Sequence, residues 1–250
     1  MARSGGPGSL PDPGADDEIG ALARTLNEML DRLEVAAARQ RAFVADAAHE
    51  LRTPLAALGA TLDVAATHPD AYERGELVAD LTAEVRRMQL LVDDLLLLAR
   101  VGSRPVPAAD IDLAAVAHDA VDLATAAAGR ADVRVEVRGT GRSRGDTAAV
   151  GRVVRNLADN ALRHATARVV VEVADGAVTV TDDGPGVPAD ARERVFERFV
   201  RLDDARARPV GGSGLGLAIA REIAREHGGD VWLVDAPDGA GLRAVLRLGG

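Results

Sequence analysis

The sequence predicts a multidomain chain with an all-α segment in front of a mixed α/β domain. Three observations carry that reading. Apolar residues recur at helical spacing from Ile19 to Arg100; a Pro-containing stretch, "VGSRPVPAADID" (101–112), interrupts them; beyond it the spacing switches to strand-like alternation. Aromatic residues make up only 2% of the 250, so the core must rest on Leu, Val and Ala.

In chain order, "MARSGGPGSLPDPGADD" has no apolar centre, so it is not a signal peptide, and residues 1–16 read as a disordered lead-in. "DEIGALARTLNEMLDRLE" places Ile19, Leu22, Leu26, Met29 and Leu33 on a heptad seam. A second seam, Val44, Ala48, Leu51, Leu55, Leu58 and Leu62, is out of phase with the first, which implies a change of packing between residues 33 and 44. "THPD" (67–70) ends that helix, and a Leu-rich helix follows to about Arg100. Two long helices around a short loop make a hairpin. One hairpin cannot bury both apolar faces, so two copies are expected to pair as a four-helix bundle.

After the break, helix is expected at 113–128 and strand at "DVRVEVRG". Helix is expected again at 146–165, with Asp146 as its N-cap. "ARVVVEVADGAVTVTD" alternates on both sides of Asp175-Gly176, the signature of a hairpin. A last helix should stop at Gly228-Gly229, before a strand pair at 230–248.

Composition excludes several functions. The net charge is −9, which argues against broad binding to a nucleic-acid backbone. All 30 basic residues are Arg, so no mechanism can use a lysine. There is no Cys, which removes disulfides and thiol chemistry. No apolar run reaches the length of a membrane span.

"DAAHELRTPLAAL" (46–58) sets a histidine five residues before a proline on a strong helix former. Pro54 removes a backbone donor, frees the carbonyl of Glu50 and is expected to bend the helix near His49. On a helix with its apolar face centred between Ala48 and Leu51, His49 lies roughly 130° away, Glu50 about as far round the other side, and Thr53 outward. A neutral, exposed imidazole is a good nucleophile near neutral pH, and an adjacent carboxylate can fix its tautomer or act as base. Most isolated surface histidines are inert, so position alone does not decide the role; His68 and His118 lack such a setting.

Three segments beyond the break suit a phosphate and base site. "RNLADNALRHA" puts Asn156, Asn160, Arg163 and His164 along one helical face, and an Asn carbonyl suits Mg²⁺ whose charge phosphates already balance. "VTVTDDGPGVP" ends a strand in a carboxylate, Asp182, that can accept from an exocyclic amine, with Gly184 and Gly186 permitting close approach. "GGSGLGLAIAREIA" places Gly212, Gly214, Leu215 and Gly216 at a helix start, where exposed N–H groups and the dipole attract anions. The spacing fits neither the dinucleotide fingerprint nor a P-loop.

With these segments in order, the chain resembles the sensor histidine kinases of two-component systems, with a HisKA-type dimerisation domain and a Bergerat-type ATPase domain. "FVADAAHELRTPLAAL" is similar to the family's H-box, "NLADNALRHA" to its N-box, "DDGPGVP" and "GGSGLGLAIA" to its glycine boxes and "VFERFVRLD" to its F-box. "DEIGALARTLNEMLDRLE" resembles the last helix of a HAMP domain. The resemblance implies a HAMP-like helix at 17–38, a phosphotransfer hairpin at 39–101, a linker at 102–112 and an α/β sandwich at 113–250 that binds ATP.

It further implies that His49 takes the γ-phosphoryl group of ATP and passes it to an aspartate of a response regulator. Glu50 would assist as base, and Thr53 would position water for the reverse, phosphatase reaction. Asn160 would ligate Mg²⁺, with Asn156, Arg163 and His164 on the phosphate side. Asp182 would take the adenine amine beside Gly184 and Gly186. Phe196 and Phe199 would anchor a lid, Arg201 would reach the γ-phosphate, and Gly212, Gly214, Leu215 and Gly216 would pass the triphosphate. The expected partners are a second copy and a response regulator, with no nucleic acid. The expected location is cytoplasmic, or the cytoplasmic face of the membrane if a transmembrane sensor precedes these residues. The competing expectations are a dimeric ATP-binding scaffold without phosphotransfer and a plain ATPase of the gyrase type.

Overall fold

A computed structural model describes residues 18–68, 73–100, 109–200, 202, 214–237 and 239–249. The expected lead-in, most of the expected linker, Arg201 and Gly212 lie outside these residues. The chain divides into two units, 1–84 and 85–250.

In the first unit, α1 runs unbroken for 50 residues, Glu18–Thr67, straight through Pro54. Both sequence seams therefore lie on one helix. The proline costs a single backbone donor, and the flanking Ala and Leu residues propagate the helix on either side. In the single chain several seam residues are exposed, Leu22 at 69%, Leu55 at 61% and Leu62 at 51%, whereas Leu51 and Leu58 are half-buried. The second helix, α2, spans Arg74–Arg100 and crosses the boundary between the units. Its last turns bury Leu91, Leu95 and Leu98, and there Asp94 accepts from Arg152 at 2.6 Å.

The second unit opens with β1 (Ala109–Asp112), α3 (Leu113–Ala128), β2 (Arg134–Gly139) and β3 (Arg142–Gly145). It continues with α4 (Thr147–His164), β4 (Arg168–Ala174), β5 (Ala177–Asp182), α5 (Gly216–Glu226), β6 (Asp230–Asp235) and β7 (Leu242–Arg247). Residues 109–112, assigned from sequence to the linker, are thus a strand of the folded domain. Ile111 is buried, and Asp112 ends β1 while its carboxylate caps the N–H groups of Ala114 and Ala115, so strand passes directly into helix. Antiparallel β1 and β3 form a small ribbon. The β3 sequence, "RSRG", carries no apolar alternation, which is why sequence pattern did not mark it.

The main sheet has the order β2-β4-β5-β7-β6, with β2 and β4 parallel and every other pair antiparallel. Alternate residues of the strands, including Val169, Val171, Val178, Val180, Leu246 and Val231, face a core shared with Leu113, Val150, Val153, Leu157, Ile219 and Ile223 of the helices. Between β5 and α5 lies a 3-10 turn at Arg194–Phe196.

Two hydrogen bonds link α4 and α5 near opposite ends. Near the start of α5, Asn156 Nδ2 donates to the Gly216 carbonyl at 3.0 Å. At its other end the buried ring of His227 accepts from Asp146 N–H through Nε2 at 3.1 Å, while Nδ1 donates to the Ile223 carbonyl at 2.8 Å. This histidine, which had no role in the sequence reading, thereby fixes where α4 begins against where α5 ends.

Candidate active site

The base side of the site is built where β5 ends. Alternation places Asp182 on the inward face, so its carboxylate is buried among the strand ends. Burial pushes its pKa up to about 6; N–H donors from Gly184, at 2.9 Å, and Leu242 offset that only in part. The adjacent acid has a different task. Asp183 also feels some burial, but its Oδ atoms accept from Thr166 and Ala167 at 2.8–3.1 Å, and these donors hold its carboxyl below the usual range. Asp183 therefore ties the end of α4 to the end of β5, whereas Asp182 retains acceptor capacity for a ligand.

Glycine is required around this carboxylate. A Cβ on Gly184 would stand 2.5 Å from the His164 carbonyl oxygen. Gly241, in the β6–β7 connection at φ +111°, leaves no room for a Cβ against the Asp182 carbonyl. Sequence reasoning missed Gly241; its only signal, the "DGAG" of a hairpin turn, could not show what the turn packs on.

The phosphate side lies along α4 and at the start of α5. Asn156 and Asn160 are half-buried on α4, while Arg163 and His164 are exposed at its last turn. No hydrogen bond with a described residue engages the Asn160 amide. Asp159, beside it, has its carboxyl pushed up by burial against the opposing pull of Arg155 and Arg163. Leu215 is fully buried and stands at the N-cap of α5, where no side chain caps the helix. The helix dipole favours an anion at that end.

Gly214, at φ +72°, accepts from Phe199 N–H at 3.0 Å, and Phe199 itself adopts φ +62°. Residues 203–213 between them lie outside the described residues. The polar face of α4 joins the two sides: Asn156 meets Gly216, and the His164 carbonyl meets Gly184, eight residues on, or about 12 Å of helix rise. Of the expected residues, Asn156 is thus brought to Gly216 and His164 to Gly184 along one helix, whereas Gly186 lies against Gly241 and Gly214 against Phe199.

The phosphoacceptor candidates belong to the other unit. His49 is exposed on α1, as expected, and so is Thr53, whose hydroxyl turns back to the His49 carbonyl at a long 3.5 Å. Glu50 is half-buried rather than fully outward.

The donor set fits a nucleotide. A buried carboxylate at a strand end suits an amine, the cramped glycines suit a flat ring, and an uncapped helix start suits phosphates. Mg²⁺ fits through the unengaged oxygen of Asn160; among the described residues no group of His, Cys, Asp and Glu could hold a metal by itself. Sheet, helices and this cradle define a Bergerat-type ATP-binding domain.

Comparison with known proteins agrees. Residues 145–249 match the family described as "Histidine kinase-, DNA gyrase B-, and HSP90-like ATPase". Residues 39–104 match the "His Kinase A (phospho-acceptor) domain" and residues 6–35 the "HAMP domain". The HAMP match begins inside the stretch expected to be a lead-in.

Sensor protein CutS of Streptomyces coelicolor is 40% identical over 246 residues, 94% of this chain and 58% of that protein. The probable sensor histidine kinase TcrY of Mycobacterium tuberculosis is 36% identical, covering 96% and 54%. The kinase/phosphatase MprB of Mycolicibacterium smegmatis is 34% identical, covering 98% and 53%. The full-length structure of ShkA, solved with AMPPNP, aligns with a TM-score of 0.58 at 28% identity, over 80% of this chain and 44% of ShkA. The chain carries, in order, the phospho-acceptor and ATPase domains found in sensor histidine kinases. It spans about half the length of the curated relatives it matches.

Proposed function

We propose that this chain is the kinase core of a sensor histidine kinase, which autophosphorylates His49 from ATP, passes the phosphoryl group to an aspartate of a response regulator, and also dephosphorylates that regulator. The observation that carries this reading is the pairing, in one chain, of an exposed histidine inside a matched phospho-acceptor segment with a matched ATPase domain that buries Asp182 at a strand end.

Asp182 accepts the adenine amine and selects the base. The amides at Leu215 and Gly216 take phosphate oxygens. Asn160 would hold Mg²⁺, which would supply positive charge against the phosphates. A ring nitrogen of His49 attacks the γ-phosphorus in line with the leaving oxygen; the N–P bond forms, the bond to the β,γ-bridging oxygen breaks, and ADP leaves with the electron pair. Glu50 takes the imidazole proton. Thr53 orients water for the dephosphorylation of the regulator.

Two copies are proposed to pair through exposed apolar residues of α1 and α2, such as Leu22, Leu55 and Leu62 on the first and Val78, Val85 and Leu90 on the second. The HAMP match and the length of the relatives support an origin in a membrane-bound sensor, with these residues at its cytoplasmic face. Among the described residues no helix is long and apolar enough to cross a membrane.

Incubation with γ-labelled ATP and Mg²⁺ tests the reading. The wild-type chain should acquire label that is acid-labile and alkali-stable, and His49→Gln should acquire none. Nucleotide binding without any label would instead identify a scaffold.

A further inference from the structure

We propose that Arg221 is a positioning residue for nucleotide binding: through its contacts with Glu193 and Phe196 it sets the placement of the segment ending at Phe199, and thereby of Gly214 and the start of α5. This rests on the reading of that helix start as the phosphate site.

The side chain of Arg221 is only 13% exposed, although it lies on the polar face of α5. Its Nε and Nη2 donate to the two carboxylate oxygens of Asp230, at 2.8 and 3.3 Å, and Asp230 is the first residue of β6. Its Nη1 donates to Glu193 Oε1 at 2.5 Å. The guanidinium carbon sits 4.6 Å from the ring centroid of Phe196, itself buried in the 3-10 turn. One planar fork thus bridges three elements: α5, β6 and the turn.

Three residues beyond Phe196 the chain crosses itself. Phe199 N–H bonds the Gly214 carbonyl, both residues hold positive φ, and a Cβ on Gly214 would stand 2.9 Å from Phe199 Cα. Such an obligate close crossing transmits a shift of either strand of chain to the other. Gly214 directly precedes Leu215 and Gly216, whose amides open α5. The placement of residues 193–199 therefore sets the placement of those amides, and Arg221 holds that stretch from behind.

Arginine is required because the task combines a bidentate carboxylate, a second carboxylate and a ring face. Lysine carries the charge but not the planar fork.

The test measures autophosphorylation by the full chain over a range of ATP concentrations, with equilibrium binding of ATP and a melting curve of the nucleotide-free protein. Arg221→Met should raise the KM for ATP by about tenfold and leave kcat at saturation within about twofold, and Arg221→Lys should recover only part of that affinity. Glu193→Gln removes an exposed carboxylate that no fold depends on, and should raise KM about two- to threefold with an unchanged melting temperature. A lowered melting temperature in Arg221→Met with wild-type KM would reduce the residue to a structural tie and overturn the proposal. If Arg221→Met fails to fold, Glu193→Gln decides alone: an unchanged KM overturns it. A wild-type chain that does not bind ATP would overturn the reading of the site itself, a result separate from either of these.

Discussion

The helical unit and the α/β unit use apolar residues in opposite ways. In the α/β unit, Val150, Val169, Leu215, Ile219 and Leu246 are wholly or almost wholly removed from water within one chain. In the helical unit, Leu22, Leu33, Val44, Leu55 and Leu62 keep half or more of their surface exposed. One unit closes its own core; the other presents an apolar stripe, the proposed pairing surface of two copies. The chemistry follows the same division. Asp182, proposed to take the base, is buried with spare acceptor capacity in an apolar frame, whereas His49, the proposed phosphoacceptor, is left in the open.

The largest expected effect separates nucleophile from fold. His49→Gln should lower phosphoryl label by at least about a thousandfold, while the ATP affinity and the melting of the protein stay at their wild-type values. A loss of ATP binding in that variant would mean that the two units do not divide the chemistry as described.

Next, Leu55→Arg combined with Leu62→Arg attacks the stripe. Each buried leucine contributes about 1.5–3 kcal/mol, so the double change should weaken the dimer by more than a hundredfold in sedimentation. Binding of ATP by the α/β unit should be unaffected. Dimers that persist would place the interface elsewhere.

Asp182→Asn should reduce ATP affinity by about ten- to a hundredfold, by replacing a charged acceptor for the amine. Its pH dependence sharpens the point. With the folded pKa raised to about 6, the folded form holds the proton more tightly than the unfolded chain does. The nucleotide-free domain should therefore gain stability from this group as pH falls from about 6 toward 4, and lose it as pH rises through 6. ATP affinity should move the other way and fall below pH 6, because a protonated carboxyl is a poorer acceptor. Calorimetry and binding titrations across that window should show opposite slopes, and both should vanish in Asp182→Asn.

The smallest effect concerns the end of α2. Arg152 and Asp94 are about a third and a fifth exposed, so Arg152→Gln should cost no more than about 1 kcal/mol in the unfolding of the second unit. A larger loss would show that the Leu91–Leu98 turn depends on that ion pair.

Much of this architecture was legible in the residues. Heptad spacing marked the helices, Asp146 marked the start of α4, and Asp175-Gly176 marked the hairpin of β4 and β5, because each rests on contacts within a few residues. The strands β1 and β3 were not legible: one is four residues of mixed polarity, the other is polar throughout, and each exists because the other pairs with it. The helix around Pro54 continues on both sides of the proline, because the loss of one donor is small beside two long flanking helical runs.

Within the site, sequence order singled out Asn156, Asn160, Asp182 and the glycines, since short motifs preserve the chemistry they need. It could not separate the roles of Asp182 and Asp183, which are neighbours with opposite faces, nor foresee Gly241, His227 or Arg221. By itself the sequence determined which residues are helical, which carboxylate, amide and imidazole are on offer, and that the front segment carries an apolar stripe. Tertiary structure alone decided which of two adjacent acids is buried, which turn glycine must press on its backbone, and which arginine stands behind the phosphate end. Those depend on contacts between residues tens of positions apart, where burial and close packing, rather than local propensity, set the free energy.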